Sequence, residues 1–215
     1  MSAAKFITLE GIEGAGKSTI AAFVCASLER AGESVLKTRE PGGTPLAERV
    51  RQIVLERGTE ALSPVSETLL MFAARSLHVE NVIRPALARG SWVVCDRFTD
   101  ATRAYQGSGR GVDRTLIEVL AKSVHPGLEP DCTLLLDLPV ATALARARSR
   151  PGGAAADRFE AETQSFFERV RAGYLELARA APERFRVIDA SAPLTQVEER
   201  VRGVLAGLGP GATPR

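Results

Sequence analysis

Gly11-Ile12-Glu13-Gly14-Ala15-Gly16-Lys17-Ser18 follows the spacing G-x-x-x-x-G-K-[ST], and Thr19 comes next. Glycines let a backbone curl until several N–H groups point inward at one anion. A helix that begins at the lysine adds the positive end of its dipole. Lys17 can then reach β- and γ-phosphates, and the Ser18 hydroxyl is a hard oxygen ligand suited to Mg²⁺. Gly11, Ile12, Glu13, Gly14, Ala15, Gly16, Lys17, Ser18 and Thr19 are therefore candidate ATP contacts, with Lys17 as a catalytic cation. A chance match in a glycine-rich turn is the competing reading, and an apolar strand before the loop with a helix after it argues against chance. No N-K-x-D segment announces guanine. The loop alone leaves a kinase, an ATPase and a plain nucleotide-binding module open.

Other charged residues sit where strands should end. Arg39 closes one apolar run, Asp96-Arg97 follows another, and Arg75 lies on a long helical pattern. Guanidinium forks match phosphate oxygens bidentately, so these arginines are candidates for a second, monophosphate ligand. A carboxylate at the end of a buried strand can hold the Mg²⁺ shell. Asp96, after Trp92-Val93-Val94-Cys95, and Asp137, after Leu134-Leu135-Leu136, both qualify on that ground. Arg146, Arg148, Arg150 and Arg158 bracket the stretch Pro151-Gly152-Gly153-Ala154-Ala155-Ala156. An arginine delivered by a closing loop meets the charge that spreads over a phosphoryl group in transfer. A solvated helix face is the plainer reading for one of the four. Interleaved aromatics, which would suggest nucleic acid, are missing from the run. His78 and His125 stand alone, without metal-ligand spacing, and read as structural.

The elements that must carry these residues alternate. Short apolar strands are expected at Phe6–Leu9, Ser34–Thr38, Trp92–Cys95, Thr133–Leu136 and Arg186–Ile188. Helices are expected near Lys17–Ala31, Leu46–Arg57, Val65–Arg89, Asp113–Ser123, Val140–Ser149, Glu160–Ala180 and Leu194–Leu208. Strands that are apolar throughout and separated by helices indicate a parallel sheet covered on both faces. The expected fold class is α/β, a doubly wound five-stranded parallel sheet. Such sheets bind ligands beyond the carboxyl ends of their strands, which is where the charged residues fall. One domain over residues 1–208 is expected, with a mobile lid at about 150–158 and a disordered tail at 209–215.

Composition bounds the function. The 215 residues carry 28 basic and 26 acidic side chains, a formal net charge of +2, with 45% hydrophobic residues. That balance is ordinary for a globular chain and a poor warrant for nucleic-acid binding. No apolar run approaches the ~18 residues of a membrane span. Cys25, Cys95 and Cys132 form no C-x-x-C pair, so neither a disulfide framework nor a zinc site is expected. With no signal peptide visible, the expected location is cytoplasmic.

Thr38-Arg39-Glu40-Pro41-Gly42-Gly43-Thr44, Asp96-Arg97-Phe98 and Ala104-Tyr105-Gln106-Gly107, with the Gly11–Ser18 loop and Asp157-Arg158-Phe159-Glu160, resemble the bacterial thymidylate kinases. The resemblance runs from about Phe6 to about Val201. It implies a P-loop NTPase-type fold that moves a phosphoryl group from ATP to dTMP with Mg²⁺, in dTTP synthesis. It also implies a homodimer; from the charge balance and the apolar runs, no nucleic-acid or membrane partner is expected. Carried over residue by residue, it puts Arg39, Arg75 and Arg97 on the acceptor's phosphate or base and Glu13 against its sugar. Phe72 would stack on the pyrimidine, with Met71 the alternative one position earlier. Thr102 and Gln106 would meet the base edge, and Tyr105 would crowd the sugar 2′ position. The same resemblance favours Asp96 over Asp137 as the Mg²⁺ acid. Arg146 and Arg150 fit an R-x-x-x-R spacing and Arg158 a D-R-x-E. Some members carry an arginine where this chain has Gly14, so here the lid would supply the catalytic cation. Alternatives are a kinase for another nucleoside monophosphate, such as UMP or CMP, or a non-catalytic nucleotide-binding module.

Overall fold

The computed structural model describes residues 4–56, 61–149, 158–159 and 162–208. Five parallel strands, β1 (Phe6–Glu10), β2 (Val35–Arg39), β3 (Trp92–Asp96), β4 (Cys132–Asp137) and β5 (Phe185–Asp189), form one sheet in the order β2-β3-β1-β4-β5. β1, β3 and β4 are buried almost throughout, while β2 and β5 are partly exposed edges. Alternation along β3 shows both faces covered: Val93 and Cys95 pack with Phe6, Val79 and Phe98, whereas Trp92 and Val94 pack with Leu9, Val24 and Leu134.

Register brings the charged strand ends together. Leu9 of β1 and Arg39 of β2 both lie beside Asp96 of β3. The chain leaves β1 toward β2 on one side, and β4 lies on the other, so the carboxyl end of β1 borders the crevice where such sheets bind ligands.

Helices cover the sheet. α1 (Lys17–Arg30) starts at Gly16, whose φ of 91° is left-handed and which has no side-chain cap. The first N–H groups of α1 are thus left to an anion. α2 (Pro45–Leu55) is capped by Thr44, which accepts from the Ala47 N–H at 3.1 Å, and α3 (Pro64–His78) by Ser63. Proline in the first turn of each supplies no N–H that would need a partner.

The helix expected over Val65–Arg89 is interrupted. A π-helical turn at Val79–Ile83 separates α3 from α4 (Arg84–Ala88). Pro85 explains the break, because proline lacks an N–H and its ring clashes with the carbonyl four residues earlier. No regular element is expected from sequence over Thr99–Gly109. The segment is α5 (Thr99–Thr102) followed by a π-helical turn, Arg103–Gly109, packed on α8 (Gln164–Ala180). Phe166 and Val170 of α8 come so close to Gly109 that a Cβ there would lie 2.7 Å from the Phe166 ring. α6 (Arg114–Val124), capped by Asp113, α7 (Val140–Arg148) and α9 (Leu194–Ala206) complete the layers. No helix among the described residues is long and apolar enough to cross a membrane.

Candidate active site

Beyond β1 the glycine-rich loop wraps on itself. Lys17 is 7% exposed, and its ammonium donates to the carbonyls of Gly11 at 3.1 Å and Ile12 at 3.0 Å. Burial, reinforced by the nearby Arg97 charge, pulls its pKa below the usual lysine value. Gly14, at φ 79°, lies against α7: a Cβ there would sit 2.0 Å from the Ala143 carbonyl oxygen. No side chain fits, which is the physical reason this loop carries glycine and no arginine of its own.

Ser18 Oγ donates to Asp96 Oδ2 at 3.3 Å. These two hard oxygens, beside the loop and at the end of β3, are of the type Mg²⁺ prefers. Asp137, the rival carboxylate, is occupied: Arg171 of α8 grips it bidentately at 2.7 and 2.9 Å.

Arg97 holds a left-handed backbone, φ 71°, unusual for a residue with a side chain. That conformation costs roughly 1–2 kcal/mol and persists only when its surroundings fix it. They do so through four contacts. Nη1 donates to the Gly11 carbonyl at 3.0 Å and Tyr174 Oη at 3.2 Å, and Nη2 donates to Glu13 Oε1 at 2.5 Å and Tyr105 Oη at 3.1 Å. The acid inside the loop, Glu13, is thereby charge-paired. Arg97 also lies over the Tyr105 ring, 4.7 Å from its centroid.

A cleft opens beside this group, lined among others by Glu13, Arg51, Met71, Arg75, Arg97, Thr102, Tyr105 and Gln106. Arg75, 2% exposed, is aimed by its partners: Nε donates to Glu40 Oε2 at 2.7 Å, and Nη2 to the Phe98 carbonyl at 3.1 Å and Thr102 Oγ1 at 3.0 Å. Its Nη1 is buried without a partner. A buried donor left unpaired costs about 1–3 kcal/mol, which an acceptor on a ligand in the cleft would recover. Burial pushes the Glu40 carboxyl up, but Arg75 and His78 outweigh it and hold it below the usual carboxylate range. His78 itself is fully engaged, its Nδ1 donating to Glu40 at 3.0 Å and its Nε2 bonded to Thr38 Oγ1 at 2.7 Å. His125, the other histidine, donates to the Leu128 carbonyl and accepts from Thr99, and burial lowers its pKa to about 4.

Not every candidate reaches the cleft. Arg39 points outward into an ion pair with Glu48 at 2.8 Å, its side chain 51% exposed. Arg51, which the sequence reading passed over, lines the cleft instead and donates to the Pro41 carbonyl at 3.0 Å. Phe72 is core, packed with Val112, Ile117 and Ala121, and its ring is covered by the Arg75 guanidinium at 4.7 Å; Met71 faces the cleft. Arg146 donates to the Ala190 carbonyl at 3.0 Å, past the end of β5. Arg158 is fixed to the far rim: its N–H donates to the Leu55 carbonyl at 3.1 Å, its Nε to the Val54 carbonyl at 3.0 Å, and its Nη2 to Glu67. Arg150 and most of the expected lid lie outside the described residues, as does the tail.

Three buried acids went unnoticed in the sequence. Glu40 aims Arg75. Glu67 of α3, with no exposed surface, accepts from Gln106 Nε2 at 2.6 Å, from Arg110 Nε at 3.0 Å and from Arg158. Glu10 ends β1 and accepts from the Phe98 N–H and the Tyr174 hydroxyl, each at 2.7 Å. Burial, with the nearby Asp100 charge, raises its pKa to about 8. One signal for Glu10 was available: a carboxylate in an otherwise apolar strand, directly before the glycine-rich loop.

The arrangement is a curled glycine-rich loop, two oxygens suited to a hard cation, and an arginine-lined cleft joined to the loop through Arg97. It can bring two nucleotides together and stabilise charge passing between them. Comparison with known proteins gives the same reading. The family model for thymidylate kinase matches residues 9–201. A thymidylate kinase of Pseudomonas entomophila is 53% identical over 203 residues, covering 94% of this chain and 95% of the relative. One from Methylococcus capsulatus is 54% identical over 211 residues, covering 96% and 99%. The crystal structure of thymidylate kinase from Ehrlichia chaffeensis superimposes with a TM-score of 0.75 at 34% identity, covering 94% of this chain and 98% of that one. With the family model spanning most of its length and relatives this similar from end to end, the chain belongs to the thymidylate kinase family.

Proposed function

We propose that the protein phosphorylates dTMP to dTDP with ATP and Mg²⁺. The observation that carries this reading is Arg97, which bridges the two sites: one side chain touches the loop carbonyl of Gly11, the sugar-side acid Glu13 and the cleft wall at Tyr105.

In this reading the curled loop and the N-terminus of α1 hold the ATP phosphates, and Lys17 exchanges its bonds to the loop carbonyls for β- and γ-oxygens. Ser18 and Asp96 would hold Mg²⁺, which would supply positive charge to the triphosphate. Arg97 binds the acceptor phosphate, and Arg51 adds a second cation in the same cleft. Arg75 offers its unpaired Nη1 to the base, beside Thr102 and Gln106. Met71 contributes the apolar face against the ring.

The step needs no general base. An acceptor phosphate oxygen, already ionised, attacks the γ-phosphorus in line; the bond to the β–γ bridging oxygen breaks, and ADP leaves. Catalysis is then positioning and electrostatic stabilisation. Lys17 and Arg97 supply two of the cations, and Arg150 is assigned the third. Arg146, bonded to the Ala190 carbonyl, and Arg158, bonded to the carbonyls of Val54 and Leu55, are the other two candidates for that role. We assign the protein to the cytoplasm.

A homodimer is supported by exposed apolar residues on α2, α3 and α6, of which α3 packs against both of the others. Leu46 and Ile53 of α2, Val65 and Leu69 of α3 and Val119 of α6 are each about half exposed. Apolar surface of that kind marks an interaction face.

A coupled assay with purified protein, ATP, Mg²⁺ and each of dTMP, dUMP, UMP, CMP and AMP tests the reading. Turnover with dTMP far above the others is expected. ATP binding without phosphorylation of dTMP would overturn it.

A further inference from the structure

Glu67 has a task that packing alone does not account for. Its carboxylate lies in the first turn of α3, wholly buried, and meets three side chains from distant parts of the chain. Oε1 accepts from Gln106 Nε2 at 2.6 Å, Arg110 Nε lies 3.0 Å away, and Oε2 takes the Arg158 guanidinium. Guanidinium groups only donate, so both Glu67 oxygens are committed as acceptors. The amide of Gln106 therefore has one allowed sense: nitrogen toward Glu67, oxygen left for the cleft that Gln106 lines. Arg75, whose buried Nη1 has no partner, lines the same cleft. Gln106 thus offers an acceptor to the cleft, and Arg75 has a donor to spare beside it.

We infer that Glu67 is a positioning residue that makes the cleft select pyrimidines bearing N3–H and O4 over cytosine. Thymine and uracil offer a donor at N3 and an acceptor at O4, matching Gln106 Oε1 and Arg75 Nη1. Cytosine offers an acceptor at N3 and an amino donor at C4, so acceptor faces acceptor and donor faces donor. Buried mismatches of that kind give large discrimination, of the order of 10³-fold or more. The inference rests on the cleft being the acceptor's base site.

Glu67→Gln tests it. Arg110 and Arg158 claim the oxygen of the new amide, its NH₂ turns toward Gln106, and Gln106 flips to accept it, placing an NH₂ in the cleft. The kcat/KM ratio of dTMP to dCMP should fall at least ~10-fold, chiefly through KM, with part of the change a gain on dCMP. A ratio within about twofold of wild type, or equal losses on both substrates, would overturn the role of Glu67. Absence of dTMP turnover in the wild-type protein would instead overturn the proposed function. If E67Q does not fold, side-chain amide NMR of the wild type decides, with Gln106 assigned by its loss in Q106L. Its NH₂ protons should keep their shifts when dTMP is added. Displacement of both, as they move to the ligand, would overturn the inference.

Discussion

Lys17 is the cation of the glycine-rich loop. Its ammonium now satisfies two loop carbonyls from a buried position. Replacing it removes a fixed cation from the path of the transferring phosphoryl group, so Lys17→Ala should lower kcat by ~10²-fold or more, read in the coupled assay. An unchanged kcat would remove Lys17 from the chemistry. Arg97→Ala should act mainly on the KM for dTMP, and a defect confined to ATP would contradict its placement in the acceptor cleft. Glu10 makes a pH prediction. Its folded pKa is about 8 against 4.5 for an ordinary glutamate, so folding takes up a proton between those values. The protein is then most stable, as far as this group goes, below about pH 4.5, and loses stability as pH rises through about 8. Glu10→Gln cannot ionise, so its melting temperature relative to wild type should rise across that window. A constant difference from pH 5 to pH 9 would contradict the burial of Glu10 as an ionisable group.

At the scale of elements, the strand-to-loop junctions do the positioning. Gly14 is pressed on the Ala143 carbonyl, and Gly16 leaves the N-terminus of α1 uncapped. Gly14→Ala must move the loop away from α7 and adopt an unfavourable φ. Loss of ATP affinity with a lower melting temperature is expected, and a variant with wild-type values of both would contradict the close approach. These junctions were legible in the sequence because the loop is contiguous and its glycines have a local reason. Asp96 and Arg97 were legible for a similar reason, since the end of an apolar strand in a parallel sheet is a known place. The register of Arg39 beside Asp96 put Arg39 at the right end of the sheet but could not give its direction, which is outward to Glu48. Phe72 and Met71 differ by one step of about 100° around α3, enough to exchange core for cleft. Glu67 was illegible because its partners are 39, 43 and 91 positions away, and a glutamate in a helix's first turn ordinarily faces water.

For the molecule as a whole, the sheet order puts both candidate sites at the carboxyl ends of β1 and β3, while α2 and α3 contribute to the cleft wall and also carry exposed apolar residues. A dimer through that outer face would brace the wall that carries Arg51, Met71 and Arg75. Ile53→Asp with Leu69→Asp should convert the dimer to monomer in light scattering coupled to gel filtration, and raise the KM for dTMP. Wild-type protein that is monomeric at micromolar concentration would contradict the interface. The central claim is that two nucleotides meet head to head, with the loop holding one and the Arg75–Arg97 cleft the other. A crystal structure with dTMP and a non-hydrolysable ATP analogue tests it most directly. The account predicts the dTMP phosphate on Arg97 and the thymine edge within hydrogen-bonding distance of Arg75 Nη1 and Gln106. A pyrimidine bound outside the cleft, or a phosphate pointing away from Lys17, would contradict it.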